Sequence, residues 1–159
     1  MKIAIGCDEI ALSLKNMIKE YLQTQKEVPV EEVVDMGVFS KEPVDYPDVA
    51  EKVALAIANH ECERGILICG TGIGMAIVAN KIPGVRAAQV YDPYSAERAR
   101  KSNNAQIMTM GALTTGPETA KYLVEIWLKC DFAGGRSTRK VEKIKQIDAK
   151  FRIPNSTHQ

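Results

Sequence analysis

No stretch of this sequence approaches the roughly 20 apolar residues that a bilayer-spanning helix needs. The opening run Met1-Lys2-Ile3-Ala4-Ile5 soon meets Asp8 and Glu9, too early for a signal-peptide core. The expectation is a cytoplasmic protein with no membrane partner. Neither sign of charge is in excess. Lys and Arg number 21, Asp and Glu number 20, and the formal net charge is +1. A nucleic-acid binder would carry a basic surplus, so no nucleic-acid partner is expected. Histidine is scarce, with only His60 and His158. The four cysteines, Cys7, Cys62, Cys69 and Cys130, form no C-x-x-C pair. A zinc site needs about four clustered thiolate or imidazole ligands, which this spacing does not offer. Cytosolic chains rarely hold disulfides, so these thiols are expected to be free. Internal repeats, low-complexity tracts and linkers are also missing.

What is present is an ordinary globular composition, 45% apolar and 26% charged over 159 residues. That length predicts one domain burying about 70% of its unfolded surface. Short apolar runs alternate with amphipathic stretches, the pattern of an α/β protein with a mostly parallel sheet. Strands are expected at Lys2 to Gly6, Glu32 to Met36, Gly65 to Cys69, Val85 to Val90 and Gln106 to Met110. The first helix carries Ile10, Leu14, Met17, Ile18, Tyr21 and Leu22 at helical spacing. A second opens at Asp45-Tyr46-Pro47, with proline in its first turn. Others are expected at Thr71 to Asn80, after Asp92-Pro93, after Gly116-Pro117, and from about Ser137 to Phe151. The last carries Val141, Ile144, Ile147 and Phe151 as its stripe. Residues 153–159 read as a frayed tail behind a 1–152 domain.

Ligands of open α/β sheets sit beyond the carboxyl ends of the strands. Three segments are expected there: Gly6-Cys7-Asp8-Glu9, Cys69-Gly70-Thr71-Gly72-Ile73-Gly74 and Tyr91-Asp92-Pro93-Tyr94. The second is the most informative. Its alternating glycines let backbone approach a ligand closely. The amides of Gly72, Ile73 and Gly74 would open a helix and could hold a phosphate or an oxyanion. The same helix terminus would favour the Cys69 thiolate. Thr71 adds a hydroxyl that can donate and accept. A base, a hydroxyl shuttle and an oxyanion hole are what proton abstraction beside a carbonyl requires. The plainer alternative is a tight strand-to-helix turn with Cys69 in the core. The segment is neither a G-x-G-x-x-G fingerprint nor a Walker motif, so no cofactor is expected. Asp8 could bind a substrate hydroxyl or cap the first helix. Tyr46 could point into the cleft or pack. Arg136, Arg139 and Lys140 open the last helix against its dipole, which suggests either phosphate binding or a solvated face. Cys7, Cys62, Cys130, His60 and His158 read as structural or surface residues.

These motifs resemble the ribose-5-phosphate isomerase B and galactose-6-phosphate isomerase family over about residues 1–152. The matching pieces are Gly6-Cys7-Asp8, Asp45-Tyr46-Pro47, Ile66 through Gly74, Ala79-Asn80-Lys81, Gly84-Val85-Arg86-Ala87, Tyr94-Ser95-Ala96, Asn103-Asn104 and Gly134-Gly135-Arg136. The resemblance implies a three-layer α/β/α, Rossmann-like domain with a five-stranded parallel sheet. It implies a homodimer or tetramer with active sites shared between subunits. It also implies metal-independent aldose–ketose isomerisation of a sugar phosphate through a cis-enediolate. On that likeness Cys69 moves the proton between carbons and Thr71 the proton between oxygens. The amides of Gly70, Gly72, Ile73 and Gly74 hold the enediolate, and Asp8 and Tyr46 bind hydroxyls. Asn103, from the partner subunit, binds near the reacting end, and Arg136 and Lys140 hold the phosphate.

The chain departs from the family pattern in places. Glu9, among the substrate-binding candidates, and Ser102 stand where histidines are usual; the second of these opens a furanose ring. Leu113 replaces an arginine, Lys140 another, and Met75 a glutamate base used by one branch. A tetrose phosphorylated on oxygen 4 cannot close a furanose ring and needs no ring-opening acid. Tyr94 through Ala99 and Ser102 through Ile107 also look like the branch that interconverts D-erythrulose 4-phosphate and D-erythrose 4-phosphate. The alternatives are a pentose or hexose phosphate as substrate, a non-catalytic subunit or sensor, and a thiol redox protein using Cys7 and Cys69.

Overall fold

The computed structural model describes residues 1–152; the expected tail at 153–159 lies outside them. The strands are β1 (Lys2–Cys7), β2 (Glu32–Asp35), β3 (Arg64–Cys69), β4 (Ala87–Gln89) and β5 (Ile107–Gly111). The helices are α1 (Leu12–Thr24), α2 (Tyr46–Ala58), α3 (Ile73–Ala79), α4 (Pro93–Lys101), α5 (Pro117–Lys129) and α6 (Arg136–Lys150). The strands form one parallel sheet in the order β2-β1-β3-β5-β4. The expected α/β architecture is therefore the observed one.

Side chains alternate across the sheet, as a two-residue period requires. Ile3, Ile5, Ile66, Ile68, Met108 and Met110 pack on one side with α1, α4 and α5, around the fully buried Trp127. Ala4, Leu67, Cys69 and Ile107 pack on the other with α2 and α3. The chain passes from β1 to β2 on one side of it, then crosses back to β3 on the other. The topological switch therefore lies between β1 and β3, and a ligand crevice is expected at their carboxyl ends. Those ends carry Cys7-Asp8 and Cys69-Gly70-Thr71.

Three sequence expectations are corrected. Ile10 precedes α1 in a turn and is exposed, because the helix begins only at Leu12. The third helix starts at Ile73, since Gly72 adopts φ +80°, outside helical space. In α6 only Val141 is buried; Ile144, Ile147 and the following Phe151 are exposed. An amphipathic period identifies a face but not what covers it. Cys7, Cys62 and Cys130 are buried, as expected of structural thiols.

Candidate active site

The turn from β3 into α3 is built by close backbone approach. A Cβ on Gly72 would lie 2.8–2.9 Å from the Met110 backbone, and the positive φ excludes ordinary residues as well. A Cβ on Gly74 would lie 2.4 Å from Tyr46 Cζ. The ring of Tyr46, the first residue of α2, thus rests on the turn. This joins two segments that lie almost 30 residues apart in sequence.

Cys69 ends β3 and is largely buried, facing the α2–α3 side. The Gly72 amide donates to its Sγ at 3.1 Å. An N–H aimed at sulfur stabilises negative charge there. The Ile73 amide donates to Thr71 Oγ1 at 3.3 Å. The carbonyls of the turn point elsewhere. Cys69 O accepts from the Ala112 amide at 2.8 Å and Gly70 O from the Leu113 amide at 3.0 Å. Thr71 O accepts Gln89 Nε2 at 2.8 Å and the Tyr91 hydroxyl at 3.4 Å. Gly72 O accepts the hydroxyl of fully buried Thr109 at 2.8 Å.

Asp8 lies beside this turn, its amide bonded to Ile68 O at 3.2 Å. Its carboxylate accepts the Ala11 amide at 3.1 Å, so it also orders the entry to α1. Burial pushes the Asp8 pKa up from the ordinary carboxylate value. Burial likewise raises the Cys7 thiol to about 11, which leaves it protonated and inert at neutral pH. The Glu9 carboxylate accepts the Val44 amide at 3.2 Å, which ties it to the loop before α2.

Asn103, Arg136 and Lys140 form a second group. With Arg98, Ser102 and Ser137 they line a cleft of about 280 Å³. None of the glycine-turn residues borders it. The reason is topological. The α4 helix runs back along the sheet, so Asn103 lies near the amino ends of the strands. In the β3–β5 ladder Gly65 pairs with Ile107 and Cys69 with Gly111. Four residues of strand separate those pairs, roughly 13 Å. Within one chain the two groups lie towards opposite ends of the sheet.

Sequence reasoning missed Arg98, Gln89 and Thr109. Arg98 lines this cleft and its larger neighbour beside β4. Thr109 carried a signal, being the one polar residue within the apolar run Ile107-Met108-Thr109-Met110. Gln89 carried none. Leu113, in contrast, is exposed and leans over Gly70, 3.4 Å from where a Cβ would be. Among the described residues no group of three or more His, Cys, Asp or Glu could hold a metal ion, and no helix is long and apolar enough to cross a membrane.

Comparison with known proteins places this geometry in a family. The ribose/galactose isomerase family model matches residues 3–144. Ribose-5-P isomerase B of Listeria innocua is 58% identical over 96% of this chain and 100% of its own. D-erythrulose-4-phosphate isomerase of Pectobacterium atrosepticum is 53% identical over 91% of this chain and 93% of its own. The ribose-5-phosphate isomerase B structure of Clostridium thermocellum superposes with a TM-score of 0.91 at 43% identity, covering 96% of this chain and 100% of that one. The chain belongs to the ribose/galactose isomerase family. It is an isomerase, with the Rossmann-like fold of its relatives.

Proposed function

We propose that the protein interconverts an aldose phosphate and its ketose through a cis-enediolate, with Cys69 as the base. The observation that carries this reading is the Gly72 amide 3.1 Å from Cys69 Sγ, in a turn whose carbonyls are all engaged elsewhere. The Cys69 thiolate takes a proton from the carbon beside the carbonyl. The C–H electron pair forms the enediolate double bond, and the carbonyl oxygen becomes the oxyanion. Thr71 moves a proton from one oxygen to the other. The Cys69 thiol then returns its proton to the neighbouring carbon. Amides of the turn stabilise the oxyanion, those of Gly70 and Gly74 foremost, since Gly72 and Ile73 already donate to Cys69 Sγ and Thr71 Oγ1. Asp8 and Tyr46, both set against the turn, hold substrate hydroxyls.

Arg136, Lys140 and Asn103 bind the phosphate and the reacting end across a subunit interface. The separation of the two groups within one chain supports this, because one copy cannot bring both to a small sugar. The exposed apolar residues Ile144 and Ile147 of α6, with Phe151 just after it, fit a homodimer.

The substrate we infer is D-erythrulose 4-phosphate, in exchange with D-erythrose 4-phosphate. Ser102 lines the cleft beside Asn103 where a ring-opening histidine would serve a furanose. A 4-phosphorylated tetrose has no furanose to open. The relative from Pectobacterium carries that activity in its name. The relative from Listeria is named a ribose-5-P isomerase, which makes D-ribose 5-phosphate the rival. Assay of both sugars, with D-allose 6-phosphate and D-galactose 6-phosphate beside them, decides between them. The reading expects kcat/KM for erythrulose 4-phosphate to exceed that for ribose 5-phosphate by about tenfold or more. The opposite order overturns the tetrose assignment.

A further inference from the structure

Two consecutive peptide planes of the glycine turn are each gripped at both ends. In the Thr71–Gly72 peptide the N–H points at Cys69 Sγ, and the C=O is held by Gln89 Nε2 at 2.8 Å. In the Gly72–Ile73 peptide the N–H points at Thr71 Oγ1, and the C=O is held by Thr109 Oγ1 at 2.8 Å. In a trans peptide the C=O and N–H are rigidly opposed, so a grip on the oxygen sets the direction of the N–H. Gln89 and Thr109 are direct partners in the β4–β5 register. They therefore form one platform under the turn, built on the sheet rather than on the turn itself.

The two grips differ in kind. Gly72 O also accepts the Ala76 amide at 3.1 Å, the first bond of α3. Thr71 O lies before the helix, and its observed donors are Gln89 and the Tyr91 hydroxyl, which itself contacts Gln89. Gly72 contributes no side chain to brace this peptide, and its φ of +80° is one of several a glycine can adopt. The amide facing the sulfur is thus aimed by Gln89 from outside the turn.

We propose that Gln89 and Thr109 are positioning residues, Gln89 for the Cys69 sulfur and Thr109 for the Thr71 hydroxyl. This rests on the reading of Cys69 as the base. Neither side chain touches a reacting atom; each acts through one peptide plane. Misplacing such a donor by about 1 Å can cost on the order of 100-fold in rate.

The test uses Gln89→Met and Thr109→Val, which keep shape and remove the donors, with Thr109→Ser as the conservative control. Each is assayed for kcat and KM, and for the rate at which iodoacetamide modifies Cys69 at pH 7, read by peptide mass mapping. Gln89→Met is expected to lower kcat by about 10- to 100-fold with KM within about twofold. It should also slow Cys69 alkylation by at least about threefold, because the sulfur loses its oriented donor. Thr109→Val should lower kcat about tenfold with Cys69 alkylation nearly unchanged, and Thr109→Ser should restore most of it. A purely structural role would lower the melting temperature and leave kcat of the folded protein and thiol reactivity as in the wild type. That result, in a background where Cys69→Ala is inactive, overturns the positioning role alone. Full turnover by Cys69→Ala overturns the reading beneath it as well.

Discussion

Two cysteines end adjacent strands, and their surroundings give them different chemistry. Cys7 is fully enclosed among apolar side chains, and burial holds its thiol near 11. Cys69 faces an amide donor. Iodoacetamide at pH 7 should therefore label Cys69 well before Cys7, and substrate should protect it; labelling of Cys7 first would contradict this account. Asp8 poses a related test. Its ionised form is disfavoured by burial, so the folded pKa lies above the unfolded one. That shift makes the carboxylate destabilising as pH rises past the unfolded value. Asp8→Asn keeps an acceptor for the Ala11 amide and removes the charge. At pH 7 its melting temperature should equal or exceed that of the wild type, while kcat/KM drops by about tenfold or more. A lower melting temperature with full activity would make Asp8 a structural residue.

At the scale of elements, α1 and β2 are joined through a buried charge. Lys15 is fully buried and donates to Asp35 and to Val38 O, each at 2.7 Å. Burial alone would raise the Asp35 pKa, but hydrogen bonds from Lys15, Lys19 and the Gly37 amide outweigh it and hold it below the ordinary value. A depressed pKa contributes stability above the unfolded pKa, near 3.9, and that stability is lost as pH falls through the folded value. Asp35→Asn should therefore lower the melting temperature at pH 7, with the gap to the wild type closing below about pH 4. A gap independent of pH would mean that packing, not charge, is what was lost. The clamp was not legible beforehand, because Lys15 sits within an amphipathic period that marks it merely as polar. The elements themselves were legible, since turn chemistry and period agree along most of the chain. Ile10 misled because it keeps the period of α1 while lying outside the helix.

At the scale of the whole molecule, the geometry of the glycine turn, a thiol at a strand end facing amides that open a helix, was readable from its residues alone. The distance between Cys69 and the Asn103–Arg136–Lys140 cleft was not. Such separation depends on which end of the sheet each loop reaches, and motif spacing carries no such information. A shared site makes a direct prediction. Cys69→Ala and Arg136→Ala should each be inactive alone. After joint unfolding and refolding in equal amounts, random pairing gives half hybrid dimers, each with one intact site. About a quarter of wild-type activity should return, measured as turnover per subunit. No recovery in a mixture that does form hybrids would place each site within one chain.

The central claim is that Cys69 carries a proton between two carbons of the substrate. Isomerisation in D2O, followed by proton NMR, tests it most directly. The wild type should place deuterium from solvent at carbon 2 of the aldose as the reaction equilibrates, and Cys69→Ala, folded and able to bind substrate, should place none. Deuterium incorporation by Cys69→Ala at the wild-type rate would contradict the account.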